Sequence, residues 1–187
     1  TPEDEQQRIR ALVHADRSKE ARQELDEWMT RNAPQEETLR LAKDVYGEGD
    51  FRGALLSKLK AYAASHPEDR QSLLRLAGLQ IDSGSPSEMG EALALLWELV
   101  AGSDAASLTA LDTLGNLSAL PPEDMPRLIE RLKTHPRAST AQQVKSYQLR
   151  VRLQPERRLA ILAEAVHHFQ GTKREELLQV VSWLVAE

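Results

Sequence analysis

Cysteine is absent from the 187 residues, which excludes disulfides, thiolate metal sites and a cysteine nucleophile while leaving the compartment open. Aromatic residues make up only 4%. Strands favour aromatic and β-branched side chains, and this chain is dominated by Leu and Ala, so the shortage points to helix throughout. No run of 18 apolar residues occurs and no signal-peptide pattern is visible, so no membrane-spanning helix is expected. The chain opens Thr1-Pro2 rather than with Met and ends in an apolar stretch, Leu177 to Val185. It reads as a soluble piece of a longer protein, cytoplasmic or periplasmic, whose membrane anchor or catalytic domain would lie outside it.

Chemical signatures are scarce too. There is no phosphate-cradling Gly-rich loop, no Gly-x-Ser-x-Gly elbow and no His-Glu-x-x-His. Adjacent His167 and His168 point about 100° apart on a helix and cannot share a metal. His66 and His135 each precede a proline and are expected to finish one helix or cap the next, and His14 has no ligand partner nearby. No enzyme, no metal and no cofactor is therefore expected. Positive charge is missing over a long stretch: from Leu76 to Pro126 there is neither Lys nor Arg. Asp82, Glu88, Glu91, Glu98, Asp104, Asp112, Glu123 and Asp124 fall there, followed by a basic block, Arg127, Arg131, Lys133, Arg137, Lys145, Arg150, Arg152, Arg157 and Arg158. The simplest expectation is a solvated surface whose charges pair between neighbouring repeats; two patches steering different partners are the alternative. A net charge of −5 and the lack of interleaved aromatics argue against nucleic acid as the ligand.

What the chain does have is recurrence. Gly49-Asp50-Phe51-Arg52-Gly53-Ala54, a helical run and His66-Pro67 have partial echoes: Pro34 lies 33 residues before Pro67, and His135-Pro136 lies 69 after His66-Pro67. Units this short cannot bury an apolar face alone and must stack. Apolar stripes keep helical spacing, as in Leu55, Leu59 and Tyr62, and in Leu93, Leu96, Trp97 and Val100. They predict eleven helices, over 3–14, 17–31, 36–47, 51–65, 68–83, 87–101, 104–118, 122–134, 138–153, 156–169 and 173–186. Asp16 and Asp50 are expected N-caps, with capping boxes at Ser85–Glu88 and Thr172–Glu175. Pro67, Pro121-Pro122, Pro136 and Pro155 are expected to open helices, and Gly47, Gly84, Gly102 and Gly171 to end them. Connections of two to five residues make consecutive helices antiparallel neighbours. Trp28, Trp97 and Trp183 are expected in the core. Helix 104–118 carries Asp112 as its only charge after Asp104, and is expected to be the most buried, or else to floor a ligand groove.

Leu41-Ala42, Val45, Gly49, Phe51, Ala54 and Ala61 resemble the tetratricopeptide repeat, in which small residues let paired helices approach and large ones fill the gap. The next unit keeps Leu76-Ala77 and Gly84, then Ala92 after a short insertion; the first keeps Ala21, Leu25 and Pro34. Later units keep the helix lengths but lose most small positions, with Asp112 where a small residue should be. The resemblance implies one all-α domain over 1–187, a right-handed superhelix of about five antiparallel helix–turn–helix repeats. It also implies a non-catalytic scaffold holding a protein or peptide partner in a groove lined by the first helix of each pair. By that resemblance the groove positions are Glu36, Leu39, Lys43 and Tyr46, then Gln71, Leu74, Gly78 and Ile81, then Ala106, Thr109, Thr113 and Asn116. The set lacks the lysines and asparagines with which some members clamp a C-terminal carboxylate. A structural spacer that self-associates through Leu177–Val185, and nucleic-acid binding through residues 127–158, are the alternatives.

Overall fold

Side-chain caps, more than prolines, decide where the helices begin. The computed structural model describes residues 1–32, 36–118, 120–170, 180 and 182. Among them there is no strand, and ten helices pack against neighbours. They are α1 (Pro2–His14), α2 (Ser18–Arg31), α3 (Glu36–Ser65), α4 (Arg70–Asp82), α5 (Pro86–Val100), α6 (Ala105–Asn116), α7 (Met125–Thr134), α8 (Thr140–Leu153) and α9 (Arg158–His168). Ten are reached because α3 breaks at Gly47, whose φ of 74° and ψ of 165° leave the helical region. Short 3-10 turns at Pro122–Asp124 and Pro155–Arg157 lead into α7 and α9.

Three of the expected starts move. Pro67 lies in a turn and α4 begins at Arg70, because Asp69 caps it: its Oδ1 accepts from Ser72 N at 3.1 Å and its Oδ2 from Ser72 Oγ at 2.7 Å. Pro136 likewise precedes the helix; Ser139 and Gln142 form a capping box that starts α8. Asp16 is no N-cap but a left-handed turn residue, φ 58°, and Arg17 holds the cap position of α2 without a side-chain bond. Gly84, φ 69°, follows α4, and the side chain of Asp50 lies outside the described residues. Pro34, the predicted helix 173–186 apart from Val180 and Ser182, its capping box, Gly171 and Trp183 also lie outside them.

The chain forms two compact units, Thr1–Leu95 and Leu96–Glu187, with the boundary inside α5. In the first, α1 packs on α2 and α3, α2 on α3, and α3 on α4. Leu25, Met29, Leu55 and Leu59 are fully buried there, and Trp28 nearly so. Each such leucine contributes roughly 1.5–3 kcal/mol of burial. Ala21, Ala42, Ala77 and Ala92 are fully buried between them, as close helix approach requires. Ala61 is not part of that seam; it is exposed, Ala54 is half-buried, and the buried small residue on that helix is Ala63.

In the second unit α6 packs on α7, α7 on α8 and α8 on α9. Leu111, Leu114, Leu128 and Leu132 fill one part of the core, and Val144, Tyr147, Val151, Ile161, Phe169 and Val180 another. Small residues pack in this core too, at positions other than the one Asp112 occupies. Ala110 and Ala165 are fully buried and Ser107 and Ser146 nearly so, while Asp112 sits exposed on a different face of α6.

Candidate binding surfaces

The positions assigned by resemblance in the first unit are accessible to different degrees. Leu39, Tyr46, Leu74 and Ile81 are half-buried, Lys43 and Gln71 are exposed, and the Glu36 side chain lies outside the described residues. Tyr46 is held from behind by α2. Its hydroxyl donates to Asp26 Oδ1, Lys58 Nζ lies 3.3 Å from the same oxygen, and the Arg22 guanidinium sits 4.8 Å from the ring centre. Burial first, then the bond to Asp26, pushes the phenol above its ordinary value, so it stays protonated and donating. What remains to a ligand is the apolar character of Leu39, Leu74, Ile81 and part of the Tyr46 ring.

Many of the side-chain bonds that join helices span 27 to 32 residues, beside shorter ones such as Arg8–Glu24 across 16 and Tyr46–Asp26 across 20. Gln6 Nε2 donates to Thr38 Oγ1 across 32 residues, Arg10 pairs with Glu37 across 27, and Arg52 donates to the Asp82 carbonyl across 30. Lys60 Nζ reaches Glu88 at 3.0 Å and Glu91 at 2.7 Å, and Gln80 Nε2 donates to both carboxylates at 3.0 and 2.7 Å. The second unit repeats the spacing. Arg131 reaches back 31 residues to the Val100 carbonyl and lies 3.3 Å from the Gly102 carbonyl, capping the C-terminal end of α5. Gln142 Nε2 donates to Asp112 Oδ1 at 2.9 Å across 30 residues, and Lys145 Nζ to Asn116 Oδ1 at 3.1 Å across 29.

The third set of groove positions belongs to α6. Thr109 is exposed and Thr113 half-buried, and their hydroxyls donate to the Ala105 and Thr109 carbonyls, so neither needs a ligand to be satisfied. Ala106 is half-buried, and Asn116 is engaged by Lys145. Contrary to expectation, α6 is not the most buried helix: it buries Ser107, Ala110, Leu111 and Leu114 but exposes Ala105, Thr109, Asp112 and Asn116, whereas α4 exposes only Gln71 and Asp82.

The two His-Pro junctions do different work. His66 stacks on Tyr62, ring centres 4.2 Å apart, and its Nδ1–H donates to the Tyr62 carbonyl at 3.1 Å. His135, 3% exposed, ties the end of α7 to the start of α6. Arg137 N–H donates to its Nδ1 at 3.2 Å, and Ser107 Oγ, 2.7 Å from Nε2, donates onward to the Asp104 carbonyl. That order fixes the neutral tautomer with the proton on Nε2, and a proton on Nδ1 would break the bond from Arg137. Burial first, then the charges of Arg131 and Arg137, holds the imidazole below its ordinary value, against the opposing pull of Asp104.

One opening in the second unit lies where helix ends converge. A cavity of about 470 Å³ is walled by Leu114 and Leu117 of the α6 end, Leu120 of the connection, Met125 and Leu128 of α7, and Leu149 and Leu153 of α8. Lys145 and Arg152 of α8 also line it. No family model, curated protein or solved structure matches the chain. Apart from Asn116, which also lines the cavity, these residues were not among the predicted groove positions, though Lys145 and Arg152 fall in the basic segment 127–158. The signal was present in Lys145, Leu149, Arg152 and Leu153, which fall at i, i+4, i+7 and i+8 and so share one face of a helix. The other α6, Leu117 and Leu120 half of the wall has no such linear pattern, since it is made by a connection.

Much of the basic block is committed inside its own unit. Arg127 stacks 4.1 Å from the centre of the buried Trp97 ring, Arg131 caps α5, and Arg150 pairs with Glu164 at 2.7 Å. Of these three, the Arg150 contact is an ion pair, and it joins the consecutive helices α8 and α9.

Proposed function

We propose that the chain is a non-catalytic protein-interaction scaffold, a degenerate tetratricopeptide-like stack of about five helix pairs that holds a peptide or partner helix. The observation that carries this reading is the recurrence of side-chain bonds across 27 to 32 residues in both units. A recurrent bond of similar reach is what stacking of like units would produce, and buried alanines on α2, α3, α4, α6 and α9 supply the close approach it needs. Such stacks work by presenting a few apolar anchors on an extended surface, with charge setting orientation. Nucleic-acid binding gains no support, because Arg127, Arg131 and Arg150 are engaged within the protein.

The test compares partners captured from cell lysate by the wild-type chain with those captured by Leu39→Glu and Leu74→Glu. Both positions are half-buried surface, so circular dichroism melts should stay near wild type. Loss of at least tenfold of a specific partner in either variant is expected. Unchanged capture by both variants, with folding intact, removes the groove reading.

A further inference from the structure

Three cavities in the second unit differ in how their charges are settled. The one of about 340 Å³ beside Pro126, Ile129 and Leu153 contains Glu130 and Glu164 together with Lys133 and Arg150, and its Arg150–Glu164 pair is closed at 2.7 Å. The one of about 200 Å³ between α6 and α8 contains Asp112, which accepts from Gln142. In the first, Lys133 and Arg150 have carboxylates beside them, and in the second Lys145 shares the lining with Asp112. The 470 Å³ cavity is lined by that same Lys145 from its other side together with Arg152, and its own lining holds no carboxylate.

Lys145 and Arg152 are seven residues apart on α8, roughly 10 Å along the helix axis, with Leu149 between them. Lys145 spends one of its three protons on Asn116 Oδ1, which fixes the ammonium at the rim and leaves two donors. Arg152 is exposed and makes no ion pair among the described residues. Leu153 beside it, the last residue of α8, is 40% exposed, whereas Val151 and Leu149 are buried. The volume lies within the range of built ligand pockets, and the floor of leucines offers nothing on which a base could stack.

We infer that this cavity docks a short acidic–apolar segment of a partner protein, its large apolar side chain entering between Leu117, Leu128 and Leu149 and its carboxylates meeting Lys145 and Arg152. The inference rests on the scaffold reading but places a second contact in the second unit, on residues other than Leu39 and Leu74, which test that reading. Charge complementarity chooses the occupant. A cationic segment would meet two like charges, and a purely apolar one would leave Arg152 without a partner. Carboxylates at helical spacing on the segment could engage both cations while one leucine-sized side chain fills the floor.

The test titrates a fluorescein-labelled peptide of glutamates and leucines at helical spacing into the full chain, followed by fluorescence anisotropy and by amide chemical shifts. Saturable binding is expected, with shifts at Gly115, Leu117, Leu149 and Leu153, and weakening as salt rises. Arg152→Glu and Leu153→Ser, both exposed and so tolerated by the fold, should each weaken it at least tenfold, whereas Leu39→Glu should leave it unchanged. A matching peptide with lysine in place of glutamate should not bind. Equal binding of the lysine peptide, no binding of the acidic one, or wild-type affinity in Arg152→Glu overturns the proposal. So does saturation of the same shifts by dodecanoate alone, which would make the cavity a fatty-acid site, or a dimer by sizing that blocks it with a second copy. Loss of this site with groove-dependent capture retained would leave the scaffold reading standing.

Discussion

At the scale of single residues, the informative group is a buried base rather than an exposed acid. His135 is neutral, accepts from Arg137 N–H and donates towards Ser107, so its burial is satisfied only in the unprotonated state. In the unfolded chain it takes its ordinary value of 6.5, and in the fold it lies lower. The unfolded chain therefore binds a proton that the folded one refuses as pH drops below about 6.5. The contribution is whole above that pH and is lost on the way down to the folded value, with a slope of at most ~1.4 kcal/mol per pH unit for one proton. Asp69, Glu88 and Glu164 are shifted downward and give up their share only lower, through the ordinary carboxylate range near 4 and below. Urea midpoints should fall between pH 7.5 and 5.5 in the wild type and fall less in His135→Gln. An equal fall in both would assign the loss to other groups. The sequence marked His135 as a helix-end residue, and that much was legible. Its bond to Ser107, 28 residues earlier, was not, because nothing local in either segment requires it.

At the scale of elements, local signals placed the helices well and their edges less well. Ten of the eleven predicted spans correspond to described helices, since leucine and alanine periodicity survives whatever packs against it. The edges moved where two signals competed. Pro67 and Pro136 can each open a helix, yet Asp69 with Ser72 and Ser139 with Gln142 satisfy orphan N–H groups, which a proline cannot do. Glycines give the sharpest element-level prediction, because two of them should respond with opposite signs. Gly47 breaks α3 at a φ of 74°, so Gly47→Ala should cost about 1–2 kcal/mol from backbone conformation alone, there being open space at its Cβ position. Gly78 lies inside α4 with equally open space and an ordinary helical φ, so Gly78→Ala should add about 0.5–1 kcal/mol. Guanidinium titrations of both variants check the pair. Stabilisation by both would mean that the break at Gly47 is not held in solution.

At the scale of the whole molecule, charge and packing are distributed by different rules. Residues 1–95 hold 13 cations against 18 acids, and residues 96–187 hold 11 of each, so the first unit carries the net −5 and the second none. Neutrality in the second unit conceals an order in sequence, acids to Asp124 and then the basic block, and these three cations do not pair with those acids: Lys145 finds the Asn116 amide, Arg150 finds Glu164, and Arg152 lines the cavity. That cavity was illegible because its walls come from the ends of α6 and α8, the start of α7 and a connection, none of which is informative alone. The ion pairs that cross between helices, such as Arg8–Glu24, Arg10–Glu37 and Lys60–Glu91, lie largely at the surface, where each contributes little and salt screens it. The seams of small residues are a different matter. Ala42 and Ala110 are fully exposed to neither water nor void, and a larger side chain must push a helix away or adopt a poor rotamer. Ala42→Leu in the first unit and Ala110→Leu in the second should each cost roughly 1–3 kcal/mol by overpacking. Raising sodium chloride from roughly 0.05 to 0.5 M should move the wild-type denaturation midpoint much less than either substitution, since the Debye length shortens without touching the seams. If salt shifts the midpoint more than Ala42→Leu does, stacking is governed by the charged surface instead, and the alanines merely occupy space that a leucine could also fill.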